Sequence, residues 1–174
     1  MDYNDQSFTP AAEQDEKVLQ DMKKFLGLEH FAWKFGAIMT LISVIIMIFA
    51  SIIMMISGAV IMAEAKAPAA YGGAPAAVNA YVLIMGVTYL IVSLTVLLPE
   101  TIICFTMIKK VEYYQSTLDT DISIARTRCT SVGMMIFCIL FNTLAAVFFI
   151  VNFVKTKNNA ASFDRIEAAQ KGTY

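Results

Sequence analysis

Tyr81 to Lys110 reads YVLIMGVTYLIVSLTVLLPETIICFTMIKK, and its reading decides what kind of chain this is. From Tyr81 to Ile108 the one charged side chain is Glu100, directly after Pro99. A helix needs about 20 apolar residues to cross about 30 Å of hydrocarbon, and this run exceeds that. Phe35–Ala63 and Cys129–Val154 have the same character and hold no Lys or Arg.

The whole composition leans the same way. Of 174 residues, 58% are hydrophobic and 16% charged, whereas soluble domains hold about 45–50% and about 25%. The expectation is an all-α membrane protein with three transmembrane helices, over 35–63, 81–108 and 129–154. They belong to one membrane domain, 31–154, preceded by a mobile tail (1–9) and an amphipathic helix (10–30). A polar tail, 155–174, follows, and Ser162–Gln170 in it reads as a short helix.

Working outward from the central run, Thr9-Pro10 reads as a helix start, with Thr9 as N-cap and Pro10 in the first turn. Val18, Leu19, Met22, Phe25 and Leu26 make one apolar stripe at helical spacing, and Gly27 ends or bends that helix. Such a helix lies in the headgroup region or packs on the rest of the protein. His30-Phe31-Ala32-Trp33-Lys34-Phe35 has the composition of a membrane–water interface, so Trp33 and Lys34 are expected as anchors. Lys109 and Lys110 are expected to anchor the other end of the central run.

Within 35–63, Gly36, Thr40, Ser43, Met47, Ala50, Met54 and Ser57 recur at steps of four and three. Helices in lipid associate by close approach over small residues, so this stripe is expected to be a packing seam. Gly86, Ser93 and Glu100 are seven apart and share a face of the second run. Pro99 removes an intrahelical hydrogen bond and kinks it. Ala65–Ala80 is broken by Pro68, Gly72-Gly73 and Pro75 and reads as a connector. Val111, Tyr114 and Leu118 carry an apolar stripe past the lysines, and Asp119-Thr120-Asp121 reads as a turn that caps the next helix. The second and third spans are thus expected as a helical hairpin projecting into the cytoplasm. Asn142, in the middle of the third, is a candidate interhelical hydrogen-bond donor.

Lys17, Lys23, Lys24 and Lys34 precede the first span, Lys66 stands alone in the first connector, and Lys109, Lys110, Arg126 and Arg128 fill the second. The positive-inside rule puts the N-terminus and the second connector in the cytoplasm. Three spans then place the C-terminal tail outside, against its own Lys155, Lys157, Arg165 and Lys171. The two requirements conflict.

Function classes narrow accordingly. Net charge is −1 without a block of like charge, so there is no electrostatic footprint for nucleic acid. Cys104, Cys129 and Cys138 form no C-x-x-C pair, and no metal site or cofactor is expected. The motifs H-E-x-x-H, G-x-S-x-G and a phosphate loop do not occur, so no catalytic residues and no enzyme are expected. The polar start of the chain gives no signal-peptide pattern. The expected partners are the lipid bilayer and other membrane-protein subunits or copies of the chain itself. The expected role is a non-catalytic accessory or assembly subunit, or a homo-oligomer. The alternative is an ion- or proton-conducting oligomer using Glu100 and Asn142, because an acid at membrane depth is a functional hypothesis by default. A membrane-surface anchor or sensor using the N-terminal helix is a third reading.

Phe31-Ala32-Trp33-Lys34-Phe35-Gly36-Ala37-Ile38, the Gly/Pro-broken connector, the closing Leu97-Leu98-Pro99 and the polar helical segment before the third span resemble an uncharacterised family of small three-span bacterial membrane proteins frequent in Bacteroidetes. The similarity covers roughly residues 20–154. It implies a bacterial inner membrane and no activity; apart from the resemblance, the alternative location is an organelle membrane, as a subunit of a large complex.

Overall fold

The computed structural model describes residues 10–64 and 76–172, and among them every regular element is helical. In chain order these are α1 (Pro10–Glu64), α2 (Ala76–Val92), a π-helical turn (Ser93–Leu97), α3 (Leu98–Thr117), α4 (Ile122–Cys129), α5 (Val132–Phe141), α6 (Thr143–Asn158) and α7 (Ala160–Gln170). The expected cap Thr9 and most of the expected connector lie outside the described residues. Two helical stretches are long and apolar enough to cross a membrane, one within α1 and one running from α2 through α3.

The chain divides into two compact units: residues up to Phe35 with those from Cys104 onward, and Gly36–Ile103. Both units draw on α1, which runs unbroken through Gly27. Gly27 therefore does not end the helix. A mid-helix glycine costs about 1 kcal/mol relative to alanine, less than the apolar stripe on either side of it returns by packing.

Gly36–Ile103 is an antiparallel helix pair. A Cβ on Gly58 would lie 3.1 Å from Leu83, and one on Gly86 would lie 3.0 Å from the Ser51 carbonyl and from Met55. The backbones approach as closely as glycine allows, which is how helices gain contact where lipid removes the hydrophobic drive. The buried line on α1 is Ala37, Val44, Ser51 and Gly58, seven apart. The expected seam was one residue off: Gly36, Thr40, Ser43 and Ala50 are half-buried at its flank and Ser57 is exposed. Thr40 and Ser43 donate instead to carbonyls of their own helix, Gly36 O (3.0 Å) and Met39 O (2.9 Å). A hydroxyl satisfied in this way needs no neighbouring helix.

On the opposing side Gly86 and Ser93 are buried in the seam as expected, but the next buried residue is Thr101. The π turn explains the step from seven to eight. Pro99 has no N–H, and its ring would collide with the carbonyl four residues earlier in a regular helix. The chain widens by one residue, the Leu98 amide donating to Ser93 O, and everything beyond rotates by about 100°. Glu100 consequently leaves the seam, and Thr101 takes its place.

The other unit packs the first part of α1 against the end of α3 and against α4 to α7. Met22, Leu26, Trp33, Val111, Leu118, Ile122, Phe149 and Phe163 are its fully buried large side chains. Asp121 caps α4 by accepting from the Ser123 amide (3.0 Å), as the turn predicted. The expected continuous helix over Cys129–Val154 is a correction. α4 ends at Cys129, α5 starts at Val132 after a bend of 64°, and Asn142 separates α5 from α6 with an extended backbone (φ −158°, ψ 94°). Asn142 is itself the N-cap of α6, its Oδ1 accepting from the Ala145 amide at 3.0 Å. An Asn side chain offers the backbone this alternative to continuing the helix. The tail is likewise ordered: α6 runs to Asn158, and α7 docks on α4 through the Gln170 side chain. Gln170 accepts from the Ile122 amide (2.7 Å) and donates to Leu118 O (2.9 Å).

Candidate functional site

The polar centre of this unit is a buried ion pair. Glu29 lies on the same stripe of α1 as Met22, Leu26 and Trp33, at steps of four, three and four, which turns its carboxylate inward with the apolar side chains. Arg128 reaches it from the last turn of α4. Arg128 Nη1 donates to Glu29 Oε2 at 2.9 Å, and Nη2 donates to Oε1. Trp33 Nε1 also donates to Oε1 at 3.2 Å. Glu29 and Arg128 are 1% and 4% exposed. The guanidinium lies over the Tyr114 ring at 4.9 Å and over the Phe149 ring at 5.3 Å, a cation–π arrangement that favours the charge in a dry setting. Beside it, Asn152 Nδ2 donates to Cys129 Sγ at 3.2 Å.

Four elements of the unit supply its parts. α1 gives the carboxylate and the indole, α3 the tyrosine, α4 the guanidinium, α6 the phenylalanine. Removing either charge would strand the other, at about 3–5 kcal/mol. Both carboxylate oxygens and both terminal guanidinium nitrogens are engaged, so the arrangement fastens helices together and presents no free reacting atom. Arg128 Nε alone has no partner. An open depression beside Arg128 is lined by Tyr114, Ser123, Ile124, Thr127, Ser131 and Met134. A cavity of about 10 Å³ lies against Thr156, whose buried hydroxyl has no protein partner; it has room for about one water.

Around this centre, acids of α1 pair with bases from the far end of the chain. Asp21 Oδ2 accepts from Lys155 Nζ at 2.6 Å, and Asp15 accepts from Arg165 Nε at 2.9 Å. His30 Nε2 lies 2.9 Å from Glu112 Oε1, and Arg126 bridges to Asp164 at 2.6 Å and to Glu167 at 3.5 Å.

Several expected site residues take other roles. Trp33 is wholly buried rather than an interface anchor. Lys34, Lys109 and Lys110 are exposed, as anchors require. Asn142 does donate between helices, its Nδ2 to Ala32 O at 3.0 Å. Glu100 forms no ion pair among the described residues, and it falls in the helix-pair unit whereas Asn142 belongs to the other. The amide of Asn142 is occupied at both ends within its own unit. Among the described residues no group of three or more His, Cys, Asp or Glu is placed to hold a metal ion.

Glu29 and Arg128 were missed in sequence. The stripe of Met22, Leu26 and Trp33 passes through Glu29, so its period could have flagged the acid as inward-facing; for Arg128 no comparable pattern exists. No protein-family model matches the chain, and no match to a curated protein or to a solved structure was found.

Proposed function

We propose that this is an integral membrane protein that crosses the bilayer twice, once through the apolar part of α1 and once through α2, the π turn and α3. The observation that carries this reading is the pairing of Asp21 with Lys155 and of Asp15 with Arg165. Residues 10–30 and 155–170 belong to one fold and therefore lie on one side of the membrane. An even number of crossings follows. The same arrangement removes the conflict left by the charge count. Lys155, Lys157, Arg165 and Lys171 join Lys17, Lys23, Lys24, Lys34, Lys109, Lys110, Arg126 and Arg128 on one face, which the positive-inside rule makes cytoplasmic.

In this reading the protein works by association, with other membrane subunits or with copies of itself, and carries out no chemistry of its own. Support comes from the Glu29–Arg128 pair, which spends its charges internally, and from the bare outer faces of the helix pair, where Ile45, Ile46, Phe49, Ile53 and Ile84 are exposed. Extraction in mild detergent followed by mass measurement tests it. A defined oligomer or a co-purifying membrane subunit is expected, and a solitary, stable 19.2 kDa chain would contradict it.

A further inference from the structure

We infer that Glu100 is the docking point for a different membrane subunit, one whose transmembrane helix carries an arginine or a lysine at matching depth. The inference rests on the two-span, associative reading above and names the chemistry of the partner. It begins with a carboxylate that the rest of the protein leaves unanswered. Glu100 is half-buried at the flank of the helix pair, and its carboxylate makes neither an ion pair nor a hydrogen bond among the described residues. Glu29, the acid buried in the other unit, has both Arg128 and Trp33.

Position along the helix makes that lack costly. Lys109 follows Glu100 about 13 Å further along α3, which sets the acid close to the middle of a hydrocarbon layer about 30 Å thick. Bare apolar side chains flank it in both directions: Leu94, Val96 and Leu98 before it, Ile102 and Phe105 after it, each at least 39% exposed. Were Glu100 at the water surface, Ile102 and Phe105 would stand in water beyond it. An ionisable group within such a band is expensive unless it is paired.

Nothing in this chain supplies the pair. Phe35–Ala63 has no charged residue, and Tyr81–Ile108 has Glu100 alone. The hydroxyls at that end of the helix pair are spent on their own helices: Thr40 donates to Gly36 O, Ser43 to Met39 O, Thr95 to Ile91 O and Thr101 to Leu97 O. A second copy would therefore bring no base and no free donor to that depth, only its own carboxylate against this one.

The π turn (Ser93–Leu97) decides where the acid can be met. By inserting one residue it takes Glu100 out of the seam and puts Thr101 there, so the carboxylate is open to a third helix at the flank of the pair. Local π geometry of this kind is frequent at functional sites. A guanidinium or ammonium on that third helix neutralises the charge and provides the donors missing here. It also selects one partner among helices that are otherwise uniformly apolar.

Energy transfer in vesicles of phosphatidylcholine tests the inference with the full chain. The native thiols are buried, so a donor dye goes on Lys110→Cys. The acceptor goes on synthetic polyleucine transmembrane helices, one with a single central arginine and one with leucine in its place. The arginine helix is expected to associate about tenfold more tightly than the leucine helix. Glu100→Gln should reduce it to the level of the leucine helix, and Glu100→Asp should keep the preference. Equal transfer from both helices, or a preference that survives in Glu100→Gln, overturns the inference. Transfer between donor- and acceptor-labelled copies of the chain that disappears in Glu100→Gln means that a second copy takes the acid, and overturns it equally. A nitroxide on Ile102→Cys separates this failure from that of the underlying reading. Collisions with oxygen dominating there, without preference for the arginine helix, remove the inference alone. Collisions with a water-soluble nickel chelate dominating there remove the two-span reading and the inference together.

Discussion

The two halves of α1 pack in opposite ways within one unbroken helix. Before Phe35 its buried residues are Met22, Leu26, Glu29, Ala32 and Trp33; after it they are Ala37, Val44, Ser51 and Gly58. Large side chains and a charge face a mixed helical core in the first stretch, and small ones face a single helix in the second. In water, burying a large apolar side chain gains about 1.5–3 kcal/mol, which rewards bulk, and the remaining polar groups are tied into ion pairs. In lipid the outside is as apolar as the inside, and only close backbone approach distinguishes a neighbour from solvent. On the proposed two-span reading, the difference between the units is a difference of solvent, recorded in residue size along one helix.

The contrast can be broken from the charged side first. Arg128→Ala leaves Glu29 buried and unpaired, and the unit around it is expected to lose about 3–5 kcal/mol of stability. The single tryptophan sits against the pair, so Trp33 fluorescence during urea unfolding reads the loss directly. Glu29→Leu combined with Arg128→Met should lie closer to the unsubstituted chain than Arg128→Ala alone, because no charge is then stranded.

The helix pair has its own weak point. Gly86→Leu forces a side chain into space already filled by Ser51 O, Met54 and Met55, and a loss of about 1–3 kcal/mol is expected. Thermal unfolding in detergent, followed by helical ellipticity, should show the transition of the helix pair lowered and that of Trp33 unmoved. Movement of both together would mean the two packing regimes are not independent.

Asn142→Ala removes a cap and an interhelical bond, together about 1–2 kcal/mol. It also lets residues 132–158 propagate as one helix. Spin labels at 136 and 147 should move apart in this variant if the asparagine holds the break. An unchanged distance would assign the break to packing instead.

The smallest effect is at Asp121. Its carboxyl is held below the usual carboxylate range by hydrogen bonds from the Ser123 hydroxyl and amide. A lowered folded value means that the cap contributes above the unfolded pKa and is lost as pH falls through the folded one. The acid limb of Trp33-monitored stability should therefore be slightly shallower in Asp121→Asn, with the variant slightly less stable than the unsubstituted chain at neutral pH and level with it in acid.

Hydropathy alone made the helical character legible, and it placed well the two helical stretches that are long and apolar enough to cross a membrane. It misjudged details decided by hydrogen bonds. Gly36, Thr40 and Ser43 looked like a seam because they are small and polar, but the hydroxyls bond to their own helix and the seam runs one residue later. Glu100 looked aligned with Gly86 and Ser93 because a sevenfold count ignores the residue that the π turn inserts. Asn142 read correctly as a donor to another helix, yet its carbonyl oxygen caps its own chain, and an average over an apolar window cannot register that. Trp33 matched an interface in composition while its register with Met22 and Leu26 turned it inward. Of the candidate site, the stripe was visible and the partner was not: Glu29 and Arg128 are 99 residues apart, and no local pattern joins them.

The central claim is that the chain crosses the membrane an even number of times, with the first turns of α1 and the end of α7 on one side. Cysteines at exposed Glu13 and Lys171, labelled one at a time with a membrane-impermeant maleimide in sided vesicles, test it most directly. Both positions are expected to react from the same face and to be protected from the other. Reaction from opposite faces would restore a third crossing and contradict the account.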